Sequence, residues 1–184
     1  MKFLACLLVV AALAVPATAH STEAIQIAAD EQGLNCMLSD APPRVVDVYV
    51  LVRSLVGVTA ASFRVWQSPG FTGQLSGVTV SDASYFWLGD VESGVDVAFA
   101  ACLTGQVPVA RLTYVVLGTS ESCSYLDVLA KVDDEMGTPW LLDCAFMVTP
   151  PAVWALAINW VNGCGICPNA TQQTTWGAVK ALYR

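Results

Sequence analysis

Histidine is almost absent from this sequence, because His20 is the only one in 184 residues. A Ser-His-Asp or Cys-His catalytic arrangement needs an imidazole base, and His-ligated metal centres usually need several imidazoles. His20 lies directly after the leader described below, so we expect it at a chain terminus and not inside a site. The sequence therefore argues against most nucleophilic hydrolases and against His-ligated metal enzymes.

Charged residues are also scarce. They make up 12% of the chain, which is about half of the usual share of about 25%. Eight are basic and fifteen are acidic, and loss of Lys2 with the leader would leave a net charge of 7 − 15 = −8. An acidic surface opposes binding to nucleic-acid phosphates and to anionic membranes. So few charges favour a protein partner or self-association, with a glycan as a further candidate ligand.

The first 19 residues have the three parts of a secretory signal peptide. Lys2 is the positive n-region, residues 3–15 are apolar, and Ala17-Thr18-Ala19 is a small-residue cleavage site. The apolar stretch is shorter than the about 20 residues that a membrane-spanning helix needs. We expect cleavage before His20 and a secreted protein, extracellular or periplasmic, with no membrane span.

Cysteines favour an oxidising compartment. Seven become six when Cys6 leaves with the leader, and an even count in an exported chain predicts three disulfides. The expected pairs are Cys123 with Cys144, Cys164 with Cys167, and Cys36 with Cys102. The last two cysteines form a C-x-x-C motif, which we expect to close a structural loop because no βαβ pattern surrounds it. A redox pair or a metal pair is the alternative.

Apolar residues alternate with polar ones through the middle of the chain. Val46, Val48, Val50 and Val52 lie on one face of a strand, and the same period of two recurs at 61–66, 95–101, 112–116 and 153–161. Turn residues such as Ser68-Pro69-Gly70 and Pro150-Pro151 separate these runs. The pattern predicts an all-β fold, an antiparallel β-sandwich, in a single domain over residues 20–168.

Only residues 169–184 have helical spacing. Trp176, Val179, Lys180 and Tyr183 fall at i, i+3, i+4 and i+7, which predicts a short C-terminal helix. We expect this helix to pack on the sandwich, and binding to a partner or to an export machine is the alternative.

The order of the strands resembles a known family. A valine-rich strand at 46–52 leads to a strand marked by Phe63 at 60–65, and 94–100 precedes 109–116. This order resembles the cohesin-like β-sandwiches of bacterial extracellular proteins, and more broadly immunoglobulin-like sandwiches. Cohesin-like modules are binding and assembly domains, some of which recognise a partner module while others are associated with glycans. The resemblance implies adhesion or scaffolding, and residues 175–184 also resemble the ends of uncharacterised secreted bacterial proteins.

Aromatic rings are the candidate ligand-binding groups. Tyr85, Phe86 and Trp87 are consecutive, so at least one ring must point away from the buried side of a strand. Trp66 lies on the face opposite Phe63 in its strand. We consider Trp66, Tyr85 and Trp87 as rings that would stack on a sugar or anchor a protein, with packing in the core as the alternative.

Carboxylates supply the remaining candidates for chemistry. A glycosidase pair needs no histidine, and the candidates for that role are Asp47, Asp90, Glu92 and Asp96. Their spacing pairs none of them, so we expect solvated acids. The acidic run 133–135 would supply oxygen ligands to a structural calcium ion, but it lacks the spaced D-x-D-x-D-G loop, and a solvated turn is the simpler interpretation.

These features together predict a secreted, non-catalytic β-sandwich without a cofactor that acts in extracellular adhesion, scaffolding or assembly. A carbohydrate-binding module that uses exposed aromatics is the first alternative. A carboxylate-dependent polysaccharide hydrolase is the second.

Overall fold

The computed structural model describes residues 23–40, 42, 44–161 and 164. Within these residues the chain forms eleven strands and no helix, which confirms the predicted all-β class. The strands are β1 (Ala24–Ala28), β2 (Met37–Leu38), β3 (Arg44–Gln67), β4 (Gly73–Val80), β5 (Ser84–Asp90), β6 (Gly94–Val116), β7 (Ser124–Leu129), β8 (Trp140–Asp143), β9 (Val148–Thr149), β10 (Ala152–Trp154) and β11 (Leu156–Ile158). The predicted C-terminal helix lies outside the described residues.

Two long strands, β3 and β6, each run through both layers of the sandwich. Their first pairing, residues 44–54 of β3 with 105–116 of β6, forms sheet one, which β4 borders on one side and β1 and β10 on the other. Their second pairing, residues 58–63 with 95–103, forms sheet two, with β5 on one side and β8 and β9 on the other. Beyond sheet two, residues 64–67 of β3 pair with β7, which leads to β11 and β2.

A bend in each long strand joins the two sheets. The pairing register shifts between Ser54 and Val58, and Gly57 and Gly105 have φ angles of 100° and 83°. Backbone with positive φ favours glycine, which has no Cβ to clash. The register shifts at the bend also change which alternate residues of β3 face the core. Before the bend these are the even-numbered valines of 46–52, and after it they are Ala61, Phe63 and Val65.

The disulfides differ from the expected pairs. Cys102 bonds to Cys144 and Cys123 bonds to Cys164, with Cα–Cα distances of 5.6 and 5.3 Å. The predicted pairs Cys123 with Cys144, Cys164 with Cys167 and Cys36 with Cys102 are therefore wrong. The reason is strand order: β8 lies beside β3 on the side away from β6, so the β8–β9 turn that carries Cys144 meets the bend of β6 at Cys102.

Cys36 is also disulfide-bonded, whereas Cys167 lies outside the described residues. In the part of the chain that the structure describes, no helix has the length and apolar character needed to cross a bilayer.

Candidate functional site

The outward face of sheet two carries two rows of side chains that cross neighbouring strands. Residues directly opposite each other on paired strands point to the same face of the sheet. The first row runs from β5 to β9 through Phe86, Ala98, Ala60, Leu142 and Val148. The second row runs from β5 to β8 through Leu88, Asp96, Ser62 and Trp140.

These two rows form a shallow trough with a floor of small residues. Ala60, Ala98 and Ser62 lie on the two central strands, while large apolar side chains lie on the outer strands on either side. Phe86 is 50% exposed, Leu88 57% and Val148 48%, so both walls present apolar surface to solvent. Neighbouring strands lie about 4.8 Å apart, so β5 and β8 are about 14 Å apart across the trough. We call this surface the trough.

A polar group lies in the middle of the trough. The Asp96 carboxylate accepts a hydrogen bond from Ser62 Oγ at 2.7 Å. It also forms an ion pair with Lys131, whose Nζ donates a hydrogen bond to it at 2.5 Å. Lys131 lies against Gly94, where a Cβ atom would be 2.1 Å from the Lys131 Cγ. Glycine at this position therefore lets the lysine stem cross the strand and reach Asp96.

The pKa of Asp96 lies below its ordinary value. Burial acts to raise this pKa, but the hydrogen bonds from Lys131 and Ser62 and the positive charge of Lys131 together outweigh burial. A carboxylate with a lowered pKa stabilises the folded state above its unfolded pKa of about 3.9, and that contribution is lost as the pH falls through the folded value.

We expect Asp96→Asn to lower the free energy of unfolding at neutral pH by up to about 1 kcal/mol, since the pair is partly exposed. The difference from the wild type should shrink as the pH falls below 3.8, the ordinary value. Urea unfolding at a series of pH values measures it.

Asp127→Asn is the matched control, because burial raises the pKa of Asp127, although its carboxylate also accepts a hydrogen bond from the Val128 N–H. A raised pKa makes the charged form unfavourable, so this variant should be more stable than the wild type at neutral pH and equal to it in acid. The same sign of change in both variants would contradict the assignment.

The three predicted aromatic residues do not share a surface. Trp87 faces the core of the sandwich, and Tyr85 lies at an irregularity of the edge strand β5 and is 80% exposed. Trp66 pairs with Asp127 of β7 and packs against the Tyr125 ring at a centroid distance of 5.6 Å. Trp66 is six residues along β3 from the Ala60 row, which is about 20 Å.

The candidate carboxylates are likewise separated. The Asp47 carboxylate lies on sheet one, accepts a hydrogen bond from Thr113 Oγ1 at 2.6 Å, and has Arg111 at 3.9 Å. Asp90 closes the β5–β6 turn through the backbone N–H groups of Glu92 and Ser93. Asp96 lies on the outside of sheet two and is held by Lys131, so these acids do not face each other across a cleft.

The acidic run 133–135 forms a turn before β8. The Asp134 carboxylate accepts hydrogen bonds from the Met136 N–H and from Trp140 Nε1. Across the described ranges, no three His, Cys, Asp or Glu side chains come together as a metal site.

Sequence reasoning missed the residues that form the trough walls. In the sequence, Phe86 stands out only as the neighbour of two other rings, and Leu88 and Trp140 belong to no motif. The sequence does contain a signal for Phe86 and Leu88. Ser84, Phe86 and Leu88 alternate with Tyr85, Trp87 and Gly89 along one strand, so Phe86 and Leu88 share a face. What local pattern does not contain is the register that places Phe86 and Leu142 in the same row.

Comparison with known proteins finds similarity of structure but not of sequence. No protein-family model matches the chain, and no curated protein is similar to it in sequence. A Clostridium acetobutylicum cohesin, solved in complex with a dockerin, superposes with a TM-score of 0.55 at 14% identity over 76% of this chain and 100% of its own.

A cohesin module from a family 33 glycoside hydrolase of Clostridium perfringens gives a TM-score of 0.52 at 11% identity, covering 77% of this chain and 99% of its own. A type III cohesin module from a cell-surface anchoring scaffoldin of Ruminococcus flavefaciens gives 0.50 at 9% identity, covering 76% and 88%. The chain therefore has the cohesin-like β-sandwich fold.

Proposed function

We propose that this protein is an exported, non-catalytic assembly module that binds a protein partner through the trough of sheet two. The observation that carries the proposal is the trough itself, in which two rows of outward side chains place apolar walls on both sides of a small-residue floor. Exposed apolar surface of this kind is typical of interaction sites in soluble proteins.

The shape of the trough suits an α-helix. A helix with its side chains is about 10–12 Å wide, and the trough is about 14 Å from β5 to β8. Ala60 and Ala98 are partly exposed and allow the helix to approach the sheet closely, whereas Asp96 and Lys131, beside the buried Ser62, form the polar part of the floor. Phe86 and Leu88 on one side, with Leu142 and Val148 on the other, would contact an apolar face of that helix.

Three further observations support the proposal. The Clostridium acetobutylicum cohesin, which has the same fold, was crystallised with a protein partner. The carboxylates considered for hydrolysis are engaged by other groups or lie apart, which favours binding over catalysis. Disulfides such as Cys102–Cys144 persist in oxidising compartments, which agrees with export through the predicted signal peptide.

The double variant Phe86→Asp/Leu88→Asp tests the proposal. The mature protein is immobilised, and proteins of the source organism's own culture medium are passed over it. We expect a retained protein whose affinity, measured by calorimetry after its purification, falls at least about 100-fold for the double variant, because central apolar contacts contribute most of the binding energy.

Leu34→Asp is the matched control, since Leu34 is 83% exposed in the β1–β2 loop and lies on neither row of the trough. It should bind like the wild type. Retention that is equal in all three proteins, or the absence of any retained protein, would count against the trough as the binding site.

A further inference from the structure

A second concave surface lies on the outward face of sheet one. It is an open groove of about 320 Å³, which is in the lower range of small-molecule sites. Tyr49 of β3, Arg111 of β6 and Thr79 of β4 lie opposite one another in register and form one row across it. Pro108 also lines the groove, and Glu31 and Asp82 line it from two loops.

Both loops that carry the acids are held in place. The backbone carbonyl of Glu31 accepts a hydrogen bond from Gln106 Nε2 at 3.2 Å, and the Asp30 carboxylate accepts from the N–H groups of Leu34 and Asn35. On the other side, the Ser81 N–H donates to the Val109 carbonyl at 3.0 Å, which fixes the turn before Asp82. A ligand would therefore meet loops whose backbone is already in place, which lowers the entropic cost of binding.

The polar groups of the groove are available for a ligand. Neither the Glu31 nor the Asp82 carboxylate has a hydrogen-bond or ion-pair partner among the described residues, and the same holds for the Tyr49 hydroxyl. Arg111 has only long contacts, 3.9 Å to Asp47 and 3.5 Å to Thr79 Oγ1. The groove thus presents two acceptor carboxylates, a guanidinium donor and a phenol ring.

We propose that this groove binds a sugar unit, and an amino sugar in preference to a neutral or an acidic one. Carboxylates and a guanidinium are planar groups that bond in pairs to neighbouring hydroxyls, and the Tyr49 ring offers an apolar face for the C–H side of a pyranose. The two acids outnumber the one guanidinium, so a protonated amine is favoured and a uronate carboxylate is repelled. This site is independent of the trough, because it lies on the other sheet.

Calorimetry with three tetrasaccharides tests the proposal on the intact mature protein at mildly acidic pH: the glucosamine tetramer, its N-acetylated form and the galacturonate tetramer. We expect the glucosamine tetramer to bind most tightly, the N-acetylated form about tenfold more weakly, and the galacturonate tetramer not at all. Asp82→Asn should weaken binding of the glucosamine tetramer at least about tenfold, since hydrogen bonds to charged groups are the stronger ones.

Tyr49→Ala should weaken binding of the glucosamine and N-acetylated tetramers, and Tyr85→Ala on sheet two should leave it unchanged. Asp82 is exposed, so Asp82→Asn keeps the test valid if Tyr49→Ala unfolds the sheet. Absence of saturable binding by the glucosamine tetramer, tightest binding by the galacturonate tetramer, or equal binding in Asp82→Asn would each overturn the proposal. None of these results depends on a protein partner at the trough.

Discussion

Replacing Cys102 and Cys144 together by serine is expected to lower the free energy of unfolding by about 4 kcal/mol. The disulfide closes a loop with a sequence separation of 42 residues, and the chain-entropy estimate for a loop of that length gives this value. Urea unfolding under oxidising conditions measures the change. Because the bond ties the bend of β6 to the β8–β9 turn, its loss should also weaken partner binding at the trough.

The double serine variant is more informative than a reductant, since reduction would also open the Cys123–Cys164 bond and the disulfide of Cys36. Gly57 provides an independent check on the same contact. A Cβ atom there would lie 2.5 Å from the Cys144 sulfur and 2.6 Å from the Cys102 sulfur, and its φ is 100°. Gly57→Ala should therefore be destabilising with the disulfide intact. A loss below about 1 kcal/mol for the double variant would contradict the loop-closure account.

Phe63→Ala is expected to cost about 3–5 kcal/mol of stability. Phe63 is fully buried beneath the trough, on the core side of β3, one of the two central strands of sheet two. Truncation removes the transfer free energy of the ring and leaves a cavity that the paired strands on both sides cannot close. Thermal or denaturant unfolding measures the loss, with circular dichroism to show that the variant still folds.

Phe86→Ala is the matched control, because it is the same substitution in the edge strand β5 of the same sheet, with β6 between it and β3. Phe86 is 50% exposed on the outward face, so its loss should cost less than about 1 kcal/mol while reducing binding at the trough. The two phenylalanines thus separate stability from binding. A similar loss of stability for both would mean that sheet two is oriented differently.

The strands and the fold class could be predicted because their signal is local. Alternation in 46–52 and 61–66 shows where the strands run and which side chains share a face, since successive residues of a strand point to opposite sides. The same alternation could not show that both runs belong to one continuous strand, β3, with a bend at Gly57. Nor could it show that Trp87 faces the core while Phe86 faces solvent, because three consecutive rings fit either orientation.

The disulfide partners and the trough could not be predicted because they depend on contacts between distant segments. Cys144 is 21 residues from Cys123 in sequence, but it bonds to Cys102 because β8 pairs with the same stretch of β3 that pairs with β6 on its other side. Phe86 and Leu142 lie in one row, with β6 and β3 between them, for the same reason. A shift of one residue in the pairing of one of these strands would turn the trough residues of that strand toward the core.

The sequence by itself determined the fold class of this protein, because its alternating apolar pattern requires sheets. The tertiary structure decided everything that depends on register, including the cysteine pairs, the side of each aromatic ring, and the two concave surfaces on opposite sheets. The physical reason is that the alternation of side chains along a strand is local and repeats every two residues. Which strand pairs with which, and in what register, depends on the packing of distant segments in the complete core.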